Sequence, residues 1–256
     1  MRIATWNVNS IRVREPAVLA WLARWQPDVL CLQELKVEEK DFPRGAIEAA
    51  GYRATVYGQK TYNGVAILSR EEPTDVVRGF ADGAEEDPQR RLIRGTVAGV
   101  RIVNGYFVNG EEVGSEKFAY KLAWFARLLR VLETQEDPTK PLVLLGDFNV
   151  APADIDVHDP KRWKDKVLCS TEERAAYERF LAWGLTDTLR MHHPEGGIYS
   201  WWDYRLAAFQ RKWGLRIDHV LATAPLAARS KDCVVDVEPR GAERPSDHAP
   251  VYADFD

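Results

Sequence analysis

Cysteine is scarce in this chain. Cys31, Cys169 and Cys233 are its only three among 256 residues, and no two form a CxxC pair. That spacing excludes a zinc cluster and a disulfide framework, so the thiols are expected to be reduced. Long apolar runs are missing as well. The opening MRIATWNVNS soon turns polar, and no segment approaches the roughly 18 residues of a membrane span or has a signal-peptide pattern; a cytoplasmic protein without membrane contact is expected. Positive charge is not in excess either. A net charge of −4 excludes coating of nucleic acid by bulk attraction, while leaving room for a local basic surface. There is no low-complexity tract, no solenoid-period repeat and no linker, so residues 1–256 are expected to form a single domain and to act as a monomer. The Walker P-loop, the GxSxG elbow and HExxH are all absent. DIDV, Asp154 to Val157, is cut off from the preceding strand by Ala151, Pro152 and Ala153 and reads as a loop.

What the chain has is core-forming material, with 45% hydrophobic residues and nine tryptophans. Short apolar runs predict strands at Ile3–Trp6, Val29–Leu32, Val65–Leu68, Ile102–Tyr106, Leu142–Leu145, His219–Ala222 and Val251–Phe255. Pro16 suits the first turn of a helix carrying Leu19, Leu22 and Trp25. A second helix is predicted over Ser115–Thr134, with Phe118, Leu122, Phe125, Leu129 and Leu132 as its core-facing stripe and Lys117, Lys121 and Trp124 on its flank.

The polar residues are placed systematically. Asn7 and Asn9 follow the first strand, Glu34 the second, and Asp147 and Asn149 the LVLL strand, all at strand exits. Asp218, Asp247 and His248 instead stand at strand entrances. If both groups line one site, the strands must run in opposite directions, which favours mixed sheets over a purely parallel doubly wound one. One such residue would be an ordinary turn former. Five strand ends together offer hard carboxylate and amide oxygens suited to Mg²⁺ or Mn²⁺, the donor set of a divalent-metal phosphoesterase.

The segments TWNVNSIR, LQELK, YNGVAILSR, GYFVNG, LLGDFNVAP, WWDYR, GLRIDHVL and RPSDHAPV, in this order, resemble the exonuclease III family of DNA-repair enzymes within the endonuclease/exonuclease/phosphatase superfamily. The resemblance spans essentially the whole chain. It implies an α/β fold, a four-layer α/β sandwich in which two mixed β-sheets pack face to face with helices outside. It also implies a site. Glu34 would be the main Mg²⁺ ligand (Mn²⁺ a substitute), with Asn7 and Asp247 close to the ion. Asp147 would orient or deprotonate the attacking water, helped by Asn149. His248, its ring fixed by Asp218, would hydrogen-bond the scissile phosphate, and Tyr106 would reach the phosphate or leaving group. Whether Asp147 is base or orienter, and whether one metal or two act, stays open at this stage. Two positions depart from the commonest family pattern: Val108 stands where proline is more usual, and Asn9 where many relatives have aspartate.

The implied partner is double-stranded DNA with abasic sites or blocked 3′ ends. Candidate contacts are Asn9, Arg90, Lys121 and Arg216, with Arg91, Lys117, Arg205, Arg211 and Lys212 as further cations, and Trp201 and Trp202 as walls of a pocket for a flipped-out sugar or terminal 3′ group. The segment His158–Arg174, with bulky Trp163 and Leu168, and the segment Val108–Lys117 could set which DNA enters. DPKRW, CSTEER, KTYNGVAI and DPQRR resemble a bacterial subgroup that includes 3′-end-specialised enzymes. A 3′-phosphatase, 3′-phosphodiesterase and 3′–5′ exonuclease is therefore expected. The alternatives are an AP endonuclease and, from another class, a small-molecule or inositol-phosphate phosphatase, which should lack the WWDYR and GLRIDH combination.

Overall fold

Strands that are apolar on both faces need cover on both sides, and the computed structural model, which describes residues 1–256, supplies it. One sheet runs β11 (Ser230–Val235), β12 (Val251–Phe255), β1 (Arg2–Asn7), β2 (Val29–Gln33), β4 (Val65–Ser69) and β3 (Arg53–Tyr57). The other runs β5 (Thr74–Arg78), β6 (Leu92–Val97), β7 (Val100–Tyr106), β8 (Leu142–Asp147), β10 (Asp218–Thr223) and β9 (Leu185–Asp187). The helices are α1 (Ile11–Trp25), α2 (Arg44–Ala49), α3 (Glu116–Gln135), α4 (Pro160–Trp163), α5 (Thr171–Trp183), α6 (Thr188–His192) and α7 (Ala224–Ala227).

The period-two alternation of a strand distributes its side chains between two cores. Along β1, Ile3 joins Val29, Ile67, Ile102, Val143 and Val220 between the sheets, whereas Ala4 and Trp6 pack outward on Val18, Trp21 and Leu22 of α1. On the far side, Leu142 and Leu144 of β8 meet Phe125, Leu129 and Leu132 of α3 and Phe180 of α5. The layers are therefore helix, sheet, sheet, helix, the expected four-layer sandwich. Both sheets are mixed: β1 and β2 are parallel, as are β7 and β8, while β12 runs antiparallel to β1 and β10 to β8.

Several local expectations change. Helix α1 starts at Ile11, so Pro16 lies inside it, on an exposed side where its missing N–H costs only one ladder bond. In α3, Ser115 caps the N-terminus by accepting from Phe118 N at 3.1 Å. Leu122 is only half-buried, while Lys121 and Trp124, expected on the flank, are buried, Lys121 against Glu173 of α5 and Trp124 between the Phe80 and Phe107 rings. DIDV forms a 3₁₀ turn whose Asp156 is buried.

Candidate active site

The site lies where strand exits and entrances meet, and sheet register brings it together. Asp147, the last residue of β8, is paired with Asp218, the first of β10, on one side and with Tyr106, the last of β7, on the other. Beneath it, Gly146 has φ +142°, and a Cβ there would lie 1.9 Å from the Gly105 carbonyl oxygen, so only glycine allows the strands to approach this closely. The exit of β8 is held from both neighbours: Phe107 N donates to Asp147 O at 2.9 Å, and Phe148 N to Ile217 O at 2.9 Å. The Phe107 and Phe148 rings stack at 4.0 Å just below.

The acids and amides form one network. Asn7, at the exit of β1, donates from Nδ2 to Glu34 Oε1 and to Asp147 Oδ2, both at 2.8 Å, and its Oδ1 accepts from Asn9 N at 3.0 Å. It thus bridges the two acids as a donor; to act as the expected ligand its amide must turn over. Glu34, Asp147 and His248 have ligand atoms within 4.8 Å of one another, a cluster able to hold a metal ion. Asp247 stands outside this trio. Its carboxylate accepts from Asn9 Nδ2 and Trp201 Nε1, each at 3.0 Å. Asn9 and Trp201, expected as DNA contacts, are therefore supports of Asp247 in this arrangement. Lys36 Nζ lies 3.0 Å from Glu34 Oε2 and 2.5 Å from Asn9 Oδ1. Asn9, Glu34, Lys36 and Asn149 all have φ between +44° and +56°. Non-glycine residues in this region are uncommon, and they concentrate where function requires the geometry.

His248 Nδ1 lies 2.9 Å from Asp218 Oδ2, and its Nε2 3.7 Å from Asp147 Oδ2. Burial alone would push the imidazole towards neutrality, but the Asp218 and Asp147 carboxylates outweigh it and raise its pKa to about 10. Asp147 is pushed up to about 7, first by burial and then by Asp218 and Glu34, against the opposing pull of His248 and Asn7. The two shifts describe one buried carboxylate–imidazolium–carboxylate group that retains a proton on His248. Tyr106 is raised well above 10 by burial, with Glu34 and Asp147 adding to it, so it stays a neutral phenol. Ser200 is a member that sequence reasoning misses. Its Oγ donates to Asp218 Oδ2 at 2.6 Å and accepts from Ile217 N and Asp218 N. A serine before two tryptophans carries no motif that would reveal this. Asn109 is missed in the same way: it donates to Asn149 Oδ1 at 2.9 Å, while Asn149 Nδ2 donates to Phe107 O at 3.1 Å.

Three expected DNA contacts are excluded by burial. Lys121 is fully buried, ion-paired with Glu173, and donates to Asn109 O at 3.0 Å and Asn149 O at 2.7 Å, where it braces the catalytic loop. Arg216 is buried between Asp156 (2.6 Å) and Asp187 (2.8 Å), and donates to His219 Nδ1 at 3.0 Å. Trp202 is buried against Phe209, Ala208 and Ala249. Leu168, expected to obstruct the DNA path, is buried too; its N–H donates to Glu173 and its carbonyl accepts from Ala151. Arg90 remains exposed, over the Tyr57 ring, and donates to Gly58 O at 2.6 Å.

Residues 4–248 match the model of the Endonuclease/Exonuclease/phosphatase family. An exodeoxyribonuclease III from Haemophilus influenzae is 38% identical over 267 aligned positions that cover 100% of both chains. Among solved structures, a 3′ phosphatase from Neisseria, bound to a product DNA hairpin, is 53% identical with a TM-score of 0.96, covering 100% of this chain and 99% of that one. An AP endonuclease from Archaeoglobus fulgidus is 44% identical, also with a TM-score of 0.96, over 100% of this chain and 99% of that one. With its fold, its acid–amide–histidine centre and full-length similarity in agreement, the chain belongs to the endonuclease/exonuclease/phosphatase family, in its exonuclease III branch.

Proposed function

We propose that this protein is a Mg²⁺-dependent DNA-repair phosphoesterase, a monomer that hydrolyses phosphate esters at the 3′ ends of duplex DNA. The observation that carries the proposal is the convergence of Glu34, Asp147 and His248, with Asp218 behind the imidazole, at one rim. The donor set fits the ion. Buried Asp147 and nearby Glu34 present hard oxygens, and Asp147 is already pushed up to about 7 by burial, with the Asp218 and Glu34 carboxylates adding to it. Glu34 would be the main holder of Mg²⁺, with Asp247 and a turned-over Asn7 beside it; when bound, the ion would neutralise phosphate oxygens and polarise phosphorus for attack.

The residues of the chain do the rest. Asp147 accepts Asn149 N on Oδ1 at 2.9 Å, which holds it to align a water and accept its proton. Water attacks phosphorus and gives its proton to Asp147, the bond from phosphorus to the 3′ oxygen breaks, and the departing oxygen takes a proton from solvent. His248 donates Nε2–H to a non-bridging oxygen, its ring held by Asp218, and Tyr106 O–H stabilises the departing oxygen. Preference for 3′ ends is supported by the loop after β8. There, Trp163 and Val167, like Trp201 beside Asp247, pack on the small core of Leu168, Leu215 and Ile217, and together they would wall that side of the site. The 53% identity to a 3′ phosphatase points the same way.

The test of class is phosphate release from a 3′-phosphorylated nicked duplex and from inositol polyphosphates, with and without Mg²⁺. Release from DNA about a hundredfold faster and only with the metal is expected. Faster release from the inositol compounds would overturn the proposal.

A further inference from the structure

Beside the active site, two open cavities flank one shared wall. The nearer, about 720 Å³, is lined by Trp201, Trp163, Lys166 and Leu206; the farther, about 1000 Å³, by Tyr199, Phe209, Arg211 and Lys212. His158, Arg162 and Trp213 line both. Trp201 ties the nearer cavity to the catalytic centre through its 3.0 Å hydrogen bond to Asp247.

Charge and aromatic surface coincide in this region. Arg162, Lys166, Arg211 and Lys212 are exposed, and none makes an ion pair or a side-chain hydrogen bond, although the chain is net negative and many of its other surface cations are paired. Arg211 lies 4.6 Å from the centre of the Trp213 ring, and the His158 ring is nearly parallel to that ring at 6.1 Å. Unpaired cations interleaved with aromatic rings along a path leading away from a phosphoesterase centre suit a polyanion that also has π-faces.

We propose that these cavities bind single-stranded DNA, the template strand that runs on past a recessed 3′ end held in the active site. Its phosphates engage Arg162, Arg211 and Lys212, and its bases stack at Trp213. The inference rests on the proposed 3′-end activity, so the test reads binding rather than turnover. Fluorescence anisotropy in EDTA compares a duplex with a recessed 3′ phosphate and a nine-nucleotide thymidine overhang against the same duplex made blunt. The overhang is expected to tighten binding about tenfold. Trp213→Ala should remove that gain while leaving blunt-duplex affinity unchanged, and R211E/K212E, on exposed positions that cannot unfold the core, should weaken overhang binding about tenfold more than blunt-duplex binding. An overhang gain under twofold, or variants that weaken blunt and overhang binding equally, would overturn the proposal. Loss of phosphatase activity with the overhang gain intact would instead count against the proposed function alone.

Discussion

At the scale of single residues, the site is organised around shared hydrogen bonds, so removing one group disturbs several. Glu34 is held by Asn7 and Lys36 at a strained backbone position, and it contributes little to either core. Glu34→Ala should lower kcat by at least about a hundredfold with an unchanged melting temperature, since a metal site is lost and no packing is; near-normal turnover in saturating Mg²⁺ would contradict the assignment. Asp218 stands behind the metal trio, where it fixes Nδ1 of His248 and is in turn fixed by Ser200. Asp218→Asn should cost roughly 10²–10⁴-fold in kcat with little change in DNA affinity, and Ser200→Ala a smaller factor in the same direction. Single-turnover kinetics with parallel binding measurements separate the two effects. The acids and amides at strand ends could be read from sequence because each follows or precedes an obvious apolar run. Ser200 and Asn109 could not, because a hydroxyl or amide that only props another group has no distinctive spacing.

At the scale of elements, the ends of β8 and β10 owe their rigidity to a buried charge cluster built around Arg216, a residue that sequence reading placed among the DNA contacts. Arg216 joins Asp156 and Asp187, Arg190 also reaches Asp156, and Tyr177 donates to Asp187 at 3.1 Å. His219, next to Asp218, accepts from Arg216 at Nδ1 and therefore donates from Nε2 to Val150 O at 2.9 Å, which fixes the loop carrying Asn149. Burial, and then the neighbouring Arg216 cation, lower the His219 pKa to about 4. Between that value and its ordinary 6.5, the unfolded chain binds the proton and the folded one does not. His219 therefore stabilises the fold fully above pH 6.5, and about 3 kcal/mol of that is lost as pH falls to 4. Asp147, raised to about 7, acts with the opposite sign over much of the same range. The measurement is accordingly the difference in unfolding free energy between wild type and His219→Gln from pH 4 to 7 in EDTA. The difference should shrink as pH falls; one that stays constant would show that His219 is not held neutral. Arg216 and Lys121 were misread because the partners that bury them come from elements distant in sequence: Asp156 and Glu173 lie 60 and 52 residues away. Strand β6 was overlooked for a related reason. Its LIRGTV contains an arginine, yet Arg94 is buried by an ion pair with Glu136 at 2.8 Å.

At the scale of the whole molecule, two mixed sheets are the device that brings exits and entrances to one rim. The apolar runs and the direction argument were enough to anticipate this, because register and strand direction follow from where polar residues interrupt the core. Edge strands β5 and β11, half exposed and polar, gave no comparable signal. The closeness of β7 and β8 at Gly105 and Gly146 is part of the same device. Gly146→Ala should destabilise the fold by about 3 kcal/mol or more, because the Cβ would meet backbone that cannot yield. A melting temperature within a degree of wild type would contradict this.

The central claim concerns which DNA the rim accepts, and loops rather than catalytic residues decide that. Trp201 stands beside Asp247, with Trp163 and Val167 on the same small core, and in the proposed reading duplex continuing beyond an internal lesion would meet this wall. The direct measurement compares initial rates in Mg²⁺ on two duplexes of one sequence, one with a nick bearing a 3′ phosphate and the other with an internal abasic analogue. Faster removal of the 3′ phosphate, by about tenfold or more, is predicted. Faster incision at the internal site would show that duplex passes the wall on both sides, and would contradict the account.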